Sequence, residues 1–170
     1  EPDATVAMEQ FETLCRSGES VALEACRRFA VGLRQGRGRP ADPVTATTRF
    51  RTLCEDRGYT RACVSLGYSY ETGTGATRDE PRAFELYDRA CRAGDLTGCN
   101  NVALLYEDGR GVAQDLSEAV RLFRRSCDGG DAHGCTNYGR MLENGSGVEQ
   151  DLGHAARLHE RACRDGLLLG

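Results

Sequence analysis

The sequence predicts an all-α protein, a right-handed α/α superhelix (solenoid) of 36-residue helix-turn-helix repeats joined by disulfides. Cysteines recur in two interleaved series with steps of 36 or 37 residues. A pair of glycines separated by one residue follows each cysteine of one series, and the apolar residues between these markers recur at helical spacing. A fixed period of this length is typical of stacked supersecondary units.

The repeat markers keep a common register along the chain. One series consists of Cys54, Cys91, Cys127 and Cys163, and the other of Cys26, Cys63, Cys99 and Cys135. The glycine pairs are Gly36 and Gly38, Gly73 and Gly75, Gly109 and Gly111, and Gly145 and Gly147. After each pair come an aspartate and then an alanine at fixed distances, at Asp42, Asp79, Asp115 and Asp151 and at Ala46, Ala83, Ala119 and Ala155.

We expect residues 1–170 to form a single solenoid domain that starts with an opening helix in residues 1–18, centred on residues 4–16. An atypical repeat follows in residues 19–58, with its first hairpin beginning near Ser20. Pro40 and Pro43 crowd its inter-helix loop, and Thr47 with Thr48 weaken its second helix. Terminal repeats are expected to be atypical because one of their sides faces water.

Regular repeats are predicted in residues 59–95, 96–131 and 132–166. In the middle one the first helix, helix A, places Cys99, Val102, Ala103 and Tyr106 on one apolar face, and Gly109 is positioned to end it. The second helix, helix B, follows the N-cap candidate Asp115. Its core stripe consists of Ala119, Leu122, Phe123 and Ser126.

No single hairpin can bury its apolar stripe alone, so successive repeats are expected to stack and to form a concave face lined mainly by A helices. Residues 167–170 would begin a further helix. Cys163 would find its partner eight residues on, one residue beyond Gly170, so we expect the natural protein to continue.

The cysteine register predicts a disulfide at each turn between consecutive repeats. One cysteine ends helix B, the next lies near the start of helix A, and an antiparallel turn can bring their Cα atoms within the ~4.4–6.8 Å of a disulfide. The predicted pairs are Cys15–Cys26, Cys54–Cys63, Cys91–Cys99 and Cys127–Cys135, with Cys163 unpaired. Zinc is disfavoured because the sequence lacks close Cys or His pairs that could converge on one ion, and independent reduced thiols are the remaining alternative.

Composition narrows the function classes. A formal charge of −4, with 22 basic and 26 acidic side chains mixed along 170 residues, provides no basic stripe for nucleic acid. No apolar run approaches the roughly 20 residues needed to cross a bilayer, so membrane insertion is not expected. The chain begins at Glu1, and a removed signal peptide or a trimmed start would explain that.

The sequence argues against catalysis. A serine β-lactamase needs a Ser-x-x-Lys motif, and the chain has no Lys. His133, His154 and His159 are too scattered for a metallo-hydrolase, and the Gly-x-Gly pairs lie between helices rather than after a strand. Adjacent acids such as Glu107 and Asp108 are more typical of solvated turns than of glycan hydrolysis. We predict no cofactor and no metal.

The string from Ala90 to Cys99, followed by Leu-Tyr-Glu-Asp-Gly-Arg-Gly-Val in residues 105–112 and by Asp115 with Ala119, resembles the Sel-one-like repeat (SLR), a relative of the tetratricopeptide repeat. Cysteines paired eight apart are similar to those of the cysteine-rich secreted bacterial SLR proteins. That group is sometimes named Hcp and sometimes described as β-lactamase-like. The resemblance covers nearly the whole chain and is weaker before about Ala46.

The resemblance implies a non-enzymatic, monomeric adaptor in the periplasm or secreted, which binds a protein or peptide on its A helices. The alternative is a β-lactamase-like protein that binds or hydrolyses a β-lactam or a peptidoglycan fragment. By analogy with the related repeat, the concave-face residues would be Ser65, Tyr68, Asn100, Asn101, Glu107, Thr136, Asn137, Arg140 and Glu143. The asparagines are expected off the core face, where their amides could hold a peptide backbone.

Overall fold

The computed structural model describes the secondary structure of residues 2–16 and 22–168, and all regular structure in these ranges is helical. The α-helices are α1 (Pro2–Arg16), α2 (Ala22–Gln35), α3 (Pro43–Arg51), α4 (Thr60–Thr72), α5 (Glu80–Arg92), α6 (Leu96–Asp108), α7 (Leu116–Asp128), α8 (Ala132–Asn144) and α9 (Leu152–Leu168). A π-helical turn, Thr52–Asp56, extends α3. The predicted all-α class and helix-turn-helix organisation are confirmed.

The chain forms two compact units, residues 1–86 and 87–170, and the boundary falls within α5. In the first unit α1 packs on α2, α2 on α3, and α3 on α4. Its core consists of side chains with almost no exposed surface, among them Met8, Phe29, Phe50 and Leu66. These residues recur on one stripe of each helix, as expected for amphipathic helices that bury their apolar faces together.

In the second unit α6 packs on α7, α7 on α8, and α8 on α9, while α6 also touches α8. Its core includes Val102, Leu105, Phe123 and Met141, none of which has exposed surface. Val102 and Phe123 belong to the stripes that the sequence predicted for the helices of this repeat. The small residues Ala103 and Ala119 are also fully buried, which allows close approach of neighbouring helices.

The two glycines of each pair have different structural functions. Gly109 ends α6 in the left-handed conformation, with φ 68°, as predicted for a helix terminator. Gly75 has φ 78°, and a Cβ added to it would lie 2.0 Å from the carbonyl oxygen of Pro43 at the start of α3. Gly147 makes the equivalent close approach to Leu116 at the start of α7. The second glycine therefore lets the loop between helices A and B lie directly on the preceding helix B.

Aspartates cap several helices. The side chain of Asp115 accepts a hydrogen bond from the Glu118 backbone N–H, which confirms the predicted N-cap of α7. Asp95 and Asp131 cap α6 and α8 in the same way, through the N–H groups of Gly98 and His133. Each of these three helices therefore begins at an aspartate whose side chain accepts a hydrogen bond from a backbone N–H of the first turn.

The π-helical turn accommodates one extra residue. Cys54 and Cys63 are nine residues apart, whereas the next two cysteine pairs are eight apart. In the turn the Arg57 N–H donates to the Thr52 carbonyl oxygen, an i→i−5 hydrogen bond that inserts one residue into the helix. The cysteines therefore still meet, with Cα atoms 4.8 Å apart.

The first and last repeats differ from the sequence prediction. The start near Ser20 lies outside the described residues. Thr47 has a structural role that was not predicted: its buried hydroxyl lies 3.0 Å from Ser69 Oγ and 3.1 Å from the Thr74 carbonyl oxygen, and it links α3 to α4 and the loop that follows. At the other end α9 continues to Leu168, so residues 167 and 168 extend α9 and do not begin a new helix.

Candidate binding face on the A helices

The predicted binding residues lie on three helices. Ser65 and Tyr68 are on α4 in the first unit, while Asn100, Asn101 and Glu107 are on α6 and the others on α8 in the second. Each of these helices begins soon after a turn and carries its cysteine in the first turn or two. Residues three or four apart on such a helix share a face, so within each helix the predicted residues can lie on one side.

Asn100 and Asn137 meet between α6 and α8. The Asn137 Nδ2 donates a hydrogen bond of 2.8 Å to Asn100 Oδ1. Asn100 is 7% exposed, which corrects the prediction that it lies off the core face. Its amide oxygen needs a partner because a buried polar group without one is costly, and Asn137 provides that partner. Asn137 itself remains partly exposed.

Arg140 and Glu107 form a second link between α6 and α8. Arg140 donates through both terminal nitrogens, Nη1 and Nη2, to the two carboxylate oxygens of Glu107, each over 2.7 Å. This two-point geometry raises the pKa of Arg140, chiefly through the Glu107 hydrogen bond. Arg140 and Glu107 therefore neutralise each other's charge and hold each other's side chain in one orientation.

Other predicted residues of the second unit stay open to solvent. Thr136 is exposed, although its hydroxyl also donates to the Ala132 carbonyl oxygen. Asn101 is partly exposed and Glu143 is exposed, with His159 Nε2 3.8 Å from its carboxylate. We use the term second-unit A face for Asn101, Leu104, Thr136, Asn137 and Arg140, which lie on α6 and α8 and keep exposed surface.

In the first unit the structure separates the two predicted residues of α4. Tyr68 is 45% exposed, and the Arg34 guanidinium carbon lies 4.6 Å from the centre of its ring, a cation–π contact between α2 and α4. Ser65 is buried, and its hydroxyl bonds the Arg61 carbonyl oxygen within its own helix. Ser65 is therefore a core residue, which corrects its assignment to a binding face.

One rule of register explains both inter-helix links. Arg34 and Glu107 each lie eight residues after the cysteine of their own A helix, and Tyr68 and Arg140 each lie five residues after the cysteine of the following A helix. The same two positions thus meet in each unit, through a cation–π contact in one and an ion pair in the other. The 36-residue period shows that these two positions recur. It does not show that they meet, because that depends on how the helices pack.

A recurrent arginine contact on the B helices was not predicted from the sequence. Arg125 Nη2 donates to the Cys91 carbonyl oxygen over 3.0 Å, and Arg161 Nη2 donates to the Cys127 carbonyl oxygen over 2.9 Å. Each arginine lies two residues before the cysteine of its own B helix. The contact ties one B helix to the end of the previous one, where carbonyl groups lack helical partners. The 36-residue spacing of Arg125 and Arg161 could have indicated in advance that these arginines have a repeated role.

A partly buried ionic cluster in the first unit was also not predicted. Arg27 donates to both carboxylate oxygens of Glu24, over 2.8 and 2.7 Å, and the Tyr59 hydroxyl donates to Glu24 Oε2 over 2.6 Å. Arg28 Nε adds a further bond to Glu24. The Arg27 hydrogen bond is the main cause of a strongly lowered pKa of Glu24, with smaller contributions from Tyr59 and Arg28, and partial burial opposes them. The cluster connects α2 to the start of α4.

The four predicted cysteine pairs are disulfides in the structure, with Cα separations of 4.3 to 4.8 Å. Cys163 is exposed and forms no disulfide among the described residues. Within those residues no group of three or more His, Cys, Asp or Glu side chains is arranged to hold a metal ion. No helix in the described ranges has the length and apolarity to span a bilayer.

Comparison with known proteins identifies the repeat. The Sel1 repeat model matches residues 60–95, 97–131 and 132–167. Cytochrome c oxidase assembly factor 7A of Xenopus laevis is 29% identical over 102 residues, which cover 58% of this chain and 44% of that protein. The chain thus spans less than half of the length of this curated relative.

Solved structures share the architecture. A protective antigen of uropathogenic Escherichia coli with an SLR fold superposes with a TM-score of 0.80 and 29% identity, over 94% of this chain and 33% of the antigen. A Sel1 repeat protein from Oxalobacter formigenes gives a TM-score of 0.83 at 21% identity, over 98% of this chain and 64% of that protein. Cysteine rich protein B of Helicobacter pylori gives 0.57 at 21% identity, over 78% and 92%. Because the repeat model matches more than half of the sequence, the chain belongs to the Sel1 repeat family.

Proposed function

We propose that the protein is a non-catalytic scaffold that binds a segment of another protein on its second-unit A face, in an oxidising compartment such as the periplasm or outside the cell. The observation that carries this proposal is the partly exposed Asn137 amide, which Asn100 holds in one orientation. An oriented amide needs no further ordering when it binds, so less conformational entropy is lost on association.

The face is suited to an uncharged, extended peptide. Asn137 uses one of its two amide hydrogens on Asn100, so its second hydrogen and its oxygen are available to a peptide N–H and C=O. Arg140 is paired in two-point fashion with Glu107 and therefore offers little net charge to a ligand. Asn101 and Leu104, on the same stripe of α6, add a second amide and an apolar contact.

The family supports a scaffold role, because Sel1 repeats serve protein interaction. The disulfides support an oxidising compartment, since cytosolic thiols are kept reduced. The bacterial relatives in the comparison include a protective antigen and a cysteine-rich protein, which are compatible with an envelope or secreted protein. A peptidoglycan fragment is the alternative ligand, and it would require sugar contacts on this face. The experiment below distinguishes it from a peptide.

Selection from a displayed library of random peptides on the oxidised protein tests the proposal. Peptides selected on wild type should bind Asn137→Ala at least tenfold more weakly, since one bidentate amide contact is lost, and should bind Arg124→Ala with unchanged affinity. Arg124 is the matched control because it is exposed on α7, a B helix. Equal affinity for all three proteins would contradict the proposal. So would muropeptides that bind wild type, lose affinity for Asn137→Ala and displace the peptides.

A further inference from the structure

A groove of about 420 Å³ lies between α3 and the loop that joins α4 to α5, within the first unit. Val44 and Arg51 of α3 line one side, and Tyr70 of α4 and residues 75–79 line the other. We propose that this groove binds the C-terminal residue of a peptide, with its carboxylate on Arg51 and a small aliphatic side chain on Val44. The site is separate from the second-unit A face and does not depend on the function proposed for it.

Arg51 is a cation whose expected partner bonds elsewhere. Arg51 and Arg124 each lie three residues before the cysteine of their own B helix, and Arg124 pairs with Asp128 one helical turn later. The residue four after Arg51 is Glu55, which lies in the π-helical turn and pairs with Arg82 over 2.8 Å instead. Arg51 forms no ion pair with any residue that the structure describes. A carboxylate in the groove would therefore meet an uncompensated positive charge.

Tyr70 holds the Arg51 side chain beside the groove. Arg51 Nη2 donates a hydrogen bond of 3.2 Å to the Tyr70 hydroxyl oxygen. This bond uses one of the five N–H groups of the guanidinium, and a carboxylate can accept two parallel bonds from the others. The Tyr70 O–H is a further donor in the lining. In α8 the equivalent of Tyr70 is Leu142, so the second unit lacks this arrangement beside Arg124.

The other charged side chains of the lining already have partners. Arg78 pairs with Glu80. The carboxylate of Asp79 accepts a hydrogen bond of 3.0 Å from the Arg82 backbone N–H at the start of α5. Among the residues that line the groove, Arg51 is thus the charge that remains for a ligand.

The rest of the lining favours a short aliphatic group at the end of a chain. Val44 is 64% exposed, the highest value among the large apolar side chains of the described residues. The Thr48 hydroxyl donates to the Val44 carbonyl oxygen within its own helix, so it does not require a ligand. Six of the ten lining residues are exposed, and the groove is therefore open on one side. One residue can lie in it while the preceding peptide continues into solvent.

A tripeptide in two forms tests the site. Fluorescein-labelled Gly-Gly-Val is titrated with the oxidised chain by fluorescence anisotropy, once with a free C-terminal carboxylate and once as the C-terminal amide. We expect saturable binding of the acid and affinity for the amide lower by about tenfold or more, because the charged hydrogen bonds to Arg51 are lost. Arg51→Gln should reduce the affinity for the acid by a similar factor and leave that for the amide unchanged. Val44→Ser, which places the equivalent residue of α7 there, should weaken both.

Arg124→Gln is the matched control, because Arg124 has the same register position in α7 and pairs with Asp128. It should bind the acid like wild type, and so should Asn137→Ala on the second-unit A face. Circular dichroism shows whether each variant is folded before binding is measured. Weaker binding of the acid by either control would overturn the proposal.

Three further results would also overturn it. The first is no saturable binding of the acid to wild type at millimolar peptide, and the second is equal affinity for acid and amide. The third concerns the source of the negative charge. If inorganic phosphate, or a Gly-Gly-Asp amide with its carboxylate on a side chain, displaced the acid as effectively as unlabelled Gly-Gly-Val, the groove would be a general anion site and not a site for a peptide C-terminus.

Discussion

At the residue scale, the side chains chosen as ligand contacts also join neighbouring helices. Asn137 bonds Asn100, and Arg140 bonds Glu107, between helices that are about one repeat apart in sequence. The sequence could predict that these residues share the A-helix face, because helical periodicity sets the direction of each side chain. It could not predict the partners, since pairing depends on the offset between stacked helices. The burial of Asn100 and Ser65 escaped prediction for the same reason.

We expect Asn137→Ala to lower the free energy of unfolding by about 1–3 kcal/mol, because it leaves the buried Asn100 amide without its partner. Asn100→Ala should cost a similar amount. Chemical denaturation of both single variants and the double variant measures their coupling, which should be about 1 kcal/mol. Strictly additive effects would show that the amide pair contributes nothing to stability.

Glu24 should make stability depend on pH. Its pKa in the folded protein lies well below its ordinary value of 4.5, chiefly because of the Arg27 hydrogen bond. A lowered pKa stabilises the folded state at pH values above 4.5, and this contribution is lost as the pH falls through that value toward the folded pKa. Glu24→Gln should therefore cost about 1 kcal/mol at pH 7 for this partly exposed cluster and much less at pH 2.

Denaturation of wild type and Glu24→Gln at several pH values tests this dependence. Glu85→Gln, in which the affected carboxylate is more exposed and pairs with Arg82, serves as the control and should change little with pH. A stability difference between wild type and Glu24→Gln that stays constant from pH 7 to pH 2 would contradict the assignment.

At the scale of the elements, the repeat markers predicted most helix ends. As predicted, Asp115 caps the N-terminus of α7 and Gly109 ends α6. The π-helical turn at Thr52–Asp56 was not predicted, although the nine-residue spacing of Cys54 and Cys63 contained the signal. An extra residue can enter a loop or a helix, and only the hydrogen bonds of the structure show which. The close approach of Gly75 to Pro43 could not be predicted either, because it depends on the backbone of another helix.

Deletion of Asp56 should be tolerated. It restores the eight-residue spacing of the regular repeats, so the turn can become α-helical while Cys54 and Cys63 remain paired. We expect the free energy of unfolding to change by less than about 1 kcal/mol. Deletion of Ala93, which shortens an already regular turn, should cost several times more. Thermal melts and disulfide mapping of both variants test this, and equal losses for the two deletions would rule out the explanation.

At the scale of the whole molecule, the disulfides lie at successive turns and not between distant segments. Each closes a loop of only 8 to 11 residues, so the chain-entropy model gives about 2–3 kcal/mol for each. The sequence predicted these pairs because the period alone brings the cysteines together. The division into two compact units was not predicted, since the sequence shows no linker or change of composition at residues 86 and 87.

Reduction should destabilise the molecule strongly. With four local links removed, the melting temperature should fall by more than about 10 °C, since each kcal/mol corresponds to a few degrees in a chain of this size. Calorimetry with and without reductant measures the shift, and Cys163→Ser should melt like wild type because Cys163 forms no disulfide among the described residues. Identical melting of oxidised and reduced protein would contradict the structural role of the disulfides.

The most direct test of the scaffold account is to map a bound peptide on the oxidised protein by amide chemical shifts. A peptide selected on wild type should perturb backbone and side-chain amides of α6 and α8, with Asn101 and Asn137 among the largest changes, and should leave the exposed face of α7 unaffected. Perturbations concentrated on α7 and α9, or spread evenly without saturation, would contradict binding on the second-unit A face.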